Sequence, residues 1–159
     1  MFKVVYFSRG GNTKKIAEAI ARELKVTAED VKTDTVLPRD AFVVLGSGCY
    51  LTQIGGDMQE FIKKNDFAGR QVAIFGTSGS NLGIEISAME RLLRDKGATI
   101  AGKFHCRGKL GFIGVGHPSS GDIEEAREFA RHLSEVEYEA SDYDGDGREG
   151  TLAFVRVRN

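Results

Sequence analysis

KVVYFSRGGNTKKIAEAIAREL, Lys3 to Leu24, changes its hydrophobic period twice and so decides the architecture. Val4, Val5, Tyr6 and Phe7 are consecutive apolar residues, the pattern of a strand covered on both faces in a parallel sheet. Ser8 to Thr13 contain no large apolar side chain, and Ile16, Ala17, Ala19, Ile20, Ala21 and Leu24 then recur at helical spacing. The stretch reads as strand, tight polar loop, helix.

Such a loop presents free backbone N–H groups at the positive end of a helix, where a phosphate gains hydrogen bonds without a metal cation. Gly10 and Gly11 allow close approach of backbone to an anion, while Ser8, Asn12 and Thr13 add short side-chain donors. Helix capping would account for one of those three, not for the whole cluster. The stretch is neither a Walker loop nor a GxGxxG dinucleotide fingerprint, because neither spacing is present.

Outward from this unit the same alternation repeats. Lys25 to Asp40 is predicted to hold a short second strand and a Leu37-Pro38 turn, and Phe42 to Leu45 is a third buried strand, followed by a loop over Gly46 to Gly56. A helix carries Met58, Phe61 and Ile62; Val72 to Phe75 is the fourth strand, with a loop from Gly76 to Gly83. Ile84, Ile86, Met89, Leu92 and Leu93 mark the next helix, which Gly97 ends, and Ala98 to Cys106 is the fifth strand. Arg107 to Gly121 reads as a Gly-rich connection to a last helix that starts near Ser120 or Asp122 and turns Ile123, Ala126, Phe129, Ala130 and Leu133 inward. Strands alternating with helices of this length imply right-handed βαβ units on both faces of one parallel sheet. Ligands bind beyond the carboxyl ends of such strands, where the loops after the first, third and fourth strands converge. Tyr50 is the aromatic residue of those loops and reads either as a half-buried tyrosine or as a platform for a planar ring.

The order Ser8-Arg9-Gly10-Gly11-Asn12-Thr13 resembles the flavodoxin phosphate loop, [ST]-x-T-G-N-T, with Gly10 lacking the usual hydroxyl. The GSxxY order ending at Tyr50 and the TSGSN loop resemble the family's two ring-binding loops, and the resemblance runs from Lys3 to about Leu133. It implies a flavodoxin-like doubly wound three-layer sandwich of short-chain type, with a five-stranded parallel sheet in the order 2-1-3-4-5 and a C-terminal extra strand. It implies FMN as cofactor. Its phosphate would lie on Ser8, Arg9, Gly10, Gly11, Asn12 and Thr13, and its ring along Ser47, Gly48, Cys49, Tyr50 and Leu51 and along Thr77, Ser78, Gly79, Ser80 and Asn81. In the family the position after the stacking aromatic is commonly Gly; here it is Leu51, whose Cβ resists positive φ.

A length of 159 residues suits one domain, a core of 1–134 with an extension over 135–159. Hydrophobic residues at 41%, charged residues at 28% and a net charge of −1 point to a globular chain without nucleic-acid partners. With no signal-like start and no long apolar run, the chain reads as cytoplasmic with no membrane association, as a monomer or homodimer. Cys49 and Cys106 match no metal or disulfide spacing, and His105, His117 and His132 are scattered, so neither a catalytic residue nor a metal ligand is assigned. Asp142 to Gly147 resembles the start of a calcium loop, but Ala153 stands where the bidentate Glu belongs. Thr151 to Val157 reads instead as an added strand.

The leading functional reading is electron transfer to redox partner proteins, because the flavin would carry the chemistry and no acid, base or nucleophile constellation lies beside the loops. The alternative is an FMN-dependent oxidoreductase using NAD(P)H or a small substrate. Near-neutral charge keeps it open, since flavodoxins that dock basic partners are typically strongly acidic; a carrier with so little net charge needs a local docking patch. A non-redox module on the same fold is the third reading.

Overall fold

The computed structural model describes residues 1–32, 35–80 and 82–141, with backbone alone for 137–141. The elements in order are β1 (Phe2–Phe7), α1 (Asn12–Glu23), β2 (Ala28–Asp30), β3 (Phe42–Tyr50), β4 (Gln53–Ile54), α2 (Gly56–Lys64), β5 (Gln71–Ser78), α3 (Ile84–Asp95), β6 (Thr99–Arg107) and α4 (Ser120–Ser141). Five strands pair in parallel in the spatial order β2-β1-β3-β5-β6, and β4 folds back antiparallel on the end of β3. Counting only the parallel strands, this is the expected 2-1-3-4-5 order. The predicted C-terminal strand and the calcium-like segment lie outside the described residues.

Successive strand residues feed opposite layers. Val4 and Tyr6 of β1, Val44 of β3 and Ala73 and Phe75 of β5 pack with α1 and α4, whereas Val5, Phe7, Val43, Leu45, Val72 and Ile74 pack with α2 and α3. Both faces are therefore apolar, which is why these strands read as unbroken hydrophobic runs instead of alternating ones. On the α1/α4 side Phe104 stacks on Phe129 at 5.7 Å between centroids, and the Arg127 guanidinium reaches Glu23 at 3.0 Å.

Two strand ends differ from the sequence expectation, and both differences bear on the site. The loop predicted from Gly46 is strand as far as Tyr50: Gly46 and Ser47 pair with Tyr6 and Phe7 on one side and with Phe75 and Gly76 on the other. Small residues are needed there because a Cβ on Gly46 would lie 2.0 Å from the Phe75 ring. Likewise β5 runs through Thr77 and Ser78 before it gives way to loop. Ser47, Gly48, Cys49, Tyr50, Thr77 and Ser78 are thus strand-end residues, held by ladder hydrogen bonds instead of riding on loops.

Candidate functional site

At the carboxyl end of β1 the Ser8 hydroxyl oxygen accepts the Gly11 N–H at 3.1 Å, closing a turn that leaves Gly11 at φ 82°. That conformation is open to glycine at no steric cost. Gly11 is the N-cap of α1, no side chain caps the helix, and no acidic residue stands in its first turn. The first N–H groups, at the positive end of the helix dipole, therefore have no side-chain cap among the described residues. Capping by Ser8, Asn12 or Thr13 is excluded, and two of these side chains hold loops together. Asn12 Nδ2 donates to the Lys109 carbonyl at 2.8 Å, and the buried Thr13 Oγ1 lies 2.9 Å from Thr77 Oγ1. A Cβ at Gly10 would meet nothing within 4 Å, so the space beside that peptide is open.

β3 and β4 are joined by the two residues Leu51 and Thr52, at φ 48° and 68°. A two-residue hairpin with both central residues left-handed is the type I′ form, whose usual occupants are Asn and Gly. A leucine and a β-branched threonine there each carry about 1–2 kcal/mol of backbone strain. The hairpin is clamped from two sides. Ser47 Oγ accepts the Gly55 N–H at 3.1 Å, and the Tyr50 hydroxyl accepts the Arg9 N–H at 3.0 Å. The Tyr50 ring meets the edge of Phe7 at 5.6 Å between centroids, and the Arg9 guanidinium carbon lies 4.8 Å from the Tyr50 centroid. Tyr50 is half-buried, bridging the first loop and the hairpin. Burial raises its hydroxyl pKa against the opposing Arg9 N–H and charge.

Beyond β5, Ser78 Oγ is buried with no hydrogen-bond partner among the described residues. Gly79 lies under Leu110, Ser80 is exposed, and Asn81 falls outside the described residues. α3 also starts on an uncapped glycine, Gly83 at φ 64°. In its first turn Glu85 is fully buried over Gly76, with Oε1 2.5 Å from His105 Nδ1 and Oε2 without a partner among the described residues. Burial and then the Glu85 charge raise the Cys49 thiol pKa. Cys106 is pushed up to about 12, first by burial and then by Asp122, Glu125 and Glu85. Both thiols are therefore poor nucleophiles.

The segments after β1, β3 and β5 come together at this edge, and they are joined by a fourth, 107–119, which reads in the sequence only as a connection. Gly108 packs against the Asn12 side chain and donates its N–H to the Ser78 carbonyl at 3.0 Å, so the segment roofs both the first loop and the end of β5. It follows a buried strand at the carboxyl edge, and Leu110, Phe112, Ile113 and Val115 have no helical or strand period that would bury them. Those were its available signals. Glu85 and His105 were illegible as a pair, because nothing in the sequence says that they meet across α3 and β6.

The family model of the flavodoxin domain matches residues 3–112. The chain belongs to this family. An uncharacterized protein of Methanocaldococcus jannaschii is 32% identical over 137 residues, covering 77% of this chain and 89% of that one. Among solved structures, an archaeal flavodoxin matches with TM-score 0.67 and 22% identity over 84% of this chain and 95% of that one. Oxidised Flavodoxin 1 from Bacillus cereus matches with TM-score 0.69 and 17% identity over 84% and 97%. These two likenesses establish the fold. Family membership implies a flavin, and the carboxyl edge fits one: an uncapped helix N-terminus stands beside open glycine backbone, and an orphaned buried hydroxyl ends β5. Among the described residues no group of His, Cys, Asp and Glu could hold a metal ion, and no helix is long and apolar enough to cross a membrane.

Proposed function

We propose that the protein binds FMN and serves as an electron carrier for redox partner proteins. The observation that carries this reading is the uncapped start of α1 at the carboxyl edge of the sheet, with Ser8 shaping the turn and Gly11 left-handed. The phosphate is assigned to the N–H groups of 10–13 and the charge of Arg9, with Asn12 and Thr13 fixing the loop through Lys109 and Thr77. The ring is assigned to the strand ends at Ser47 to Leu51 and Thr77 to Asn81, where Tyr50 positions the hairpin through Arg9. FMN supplies one- and two-electron transfer when bound. The chain's own task is to hold the phosphate, exclude water from one side of the ring and present its edge.

The test is the colour of the purified protein. Flavin absorbance, with FMN released on denaturation, supports the reading; a colourless protein that takes up no added FMN overturns it. One observation favours a second reading, an FMN-dependent reductase. The buried Glu85 and His105 place a proton-holding pair at the same end of the sheet. Turnover of NAD(P)H by the FMN-loaded protein, reduced tenfold or more in Glu85→Gln, would select it over the carrier.

A further inference from the structure

The large hydrophobic side chains that stand exposed are concentrated at the carboxyl edge: Leu51, Leu82, Leu110, Phe112, Ile113 and Val115. Phe112 is 100% exposed and Leu51 97%, each at the tip of a formed turn. Leu110 and Ile113 exchange both backbone hydrogen bonds, at 2.8 and 2.9 Å, with Gly111 at φ 58° between them. This small hairpin is anchored from below by the Asn12 to Lys109 bond and by the contact of Leu110 with Gly79. The apolar groups are thus held outward by structure. Four large apolar side chains exposed on the one short segment from Leu110 to Val115 mark an interaction surface.

The loops themselves carry charge of one sign, while the helix starts that flank them hold Asp57, the buried Glu85 and Asp122, which is paired with His117. The loops 8–11, 48–55, 78–83 and 107–119 contain Arg9, Arg107 and Lys109 and no Asp or Glu, although the chain has 23 carboxylates. All three cations are exposed. We infer that this edge docks an acidic protein whose own centre is apolar, the two meeting over Phe112 and Ile113 with Arg107 and Lys109 at the rim. The inference rests on the electron-carrier reading and reverses the charge sense of a strongly acidic carrier. It also resolves how a chain of net charge −1 can steer a partner, since a local patch does what the net charge does not. A second copy of this chain is disfavoured because it would set cations against cations. An anionic bilayer is disfavoured because lipid-binding clusters use about four to eight cations.

The test is a titration of the isotopically labelled full chain with an acidic plant-type ferredoxin and with basic cytochrome c, followed by amide chemical shifts. Ferredoxin is expected to move amides of 9–11, 50–52, 79–83 and 108–116 at low salt and to lose the effect at about 1 M salt, where screening acts within a few Å. Arg107→Glu combined with Lys109→Glu should weaken binding roughly tenfold or more. Phe112→Ser should weaken it severalfold while keeping its FMN affinity. Shifts elsewhere, no shifts, or the same map with cytochrome c would overturn the inference. So would binding to phosphatidylglycerol vesicles that the same substitutions abolish while ferredoxin has no effect. Because the map needs no cofactor, it can fail while FMN uptake succeeds, and the reverse.

Discussion

The two edges of the sheet are built on opposite principles. At the amino edge one side chain ties two connections together: Arg70 donates to the carbonyls of Asp66, between α2 and β5, and of Pro38 and Arg39, between β2 and β3, at 2.9, 2.6 and 3.2 Å. Gly69 and Gly97 are joined by a backbone bond at 3.0 Å, and Lys96 reaches the Lys63 carbonyl at 2.9 Å. A hollow of about 670 Å³ lies here, lined by Leu37, Phe42 and Arg70, but its guanidinium is already spent on backbone. At the carboxyl edge the balance is reversed. α1, α2 and α3 start without a side-chain cap, Leu51 and Thr52 are strained, Ser78 and Glu85 each keep a buried oxygen with no partner among the described residues, and apolar side chains face water. Unsatisfied groups and strain persist where something else is to use them, so a hollow by itself does not locate a site.

The contrast can be broken first at Glu85. Removing the imidazole in His105→Ala takes from the fully buried Glu85 the partner of its Oε1, and a loss of about 3 kcal/mol is expected. Urea unfolding measures it; a loss under 1 kcal/mol would mean that the pair is not a structural element of this edge. Arg70→Ala is the counterpart at the other edge. It should cost about 1.5–3 kcal/mol in the same assay through its charged hydrogen bonds while leaving flavin affinity unchanged. A change in affinity would join the two edges that the structure keeps apart.

How much of this contrast the sequence displays depends on which residues carry it. β1, β3 and β5 are legible because parallel strands covered on both faces are continuous apolar runs, and the first loop is legible because Ser8 to Thr13 interrupts one abruptly. The last residues of β3 are not. Gly46, Ser47 and Gly48 have loop composition, yet they extend the strand because the Phe75 ring requires Gly46 and the Ser47 hydroxyl serves Gly55. Tyr50 is visible as an aromatic at the site, but its bond to the Arg9 N–H links residues far apart in the chain and leaves no periodic trace. The β4 hairpin is hidden for a similar reason. Leu51-Thr52 is the opposite of the Asn-Gly signal that marks such a turn.

Asp122 sharpens the comparison at the start of α4. It accepts the Ser119 N–H at 2.6 Å and a bond from His117 Nδ1 at 2.6 Å, while the Ser119 hydroxyl accepts the Asp122 N–H in return. This is a capping box, present here and absent from α1 and α3. Burial pushes the carboxyl pKa up, but the bonds from Ser119 and His117 outweigh it and hold the group below its ordinary value. A depressed pKa gives stability above the unfolded value near 4 that is lost as pH falls through the folded one. Asp122→Asn should therefore cost about 1 kcal/mol at pH 7 and progressively less below about pH 4. A difference independent of pH would show that the charge is not what the cap uses.

The smallest effect is expected at the strained turn. Thr52→Gly relieves left-handed backbone strain in a β-branched residue and should stabilise the fold by about 1 kcal/mol. Thermal unfolding would register it as a higher midpoint, whereas a lower midpoint would mean that the Thr52 hydroxyl bond to the Leu51 carbonyl outweighs the strain.

FMN and riboflavin differ only by the phosphate that the uncapped start of α1 is assigned to hold. Titrating the protein with each, by quenching of flavin fluorescence, isolates that assignment. FMN should bind roughly a hundredfold or more tightly than riboflavin, the preference falling steeply with salt, since charged hydrogen bonds of about 1.5–3 kcal/mol are made by one ligand alone. Equal affinity for the two flavins would contradict it, because then no phosphate lies on Ser8 to Thr13.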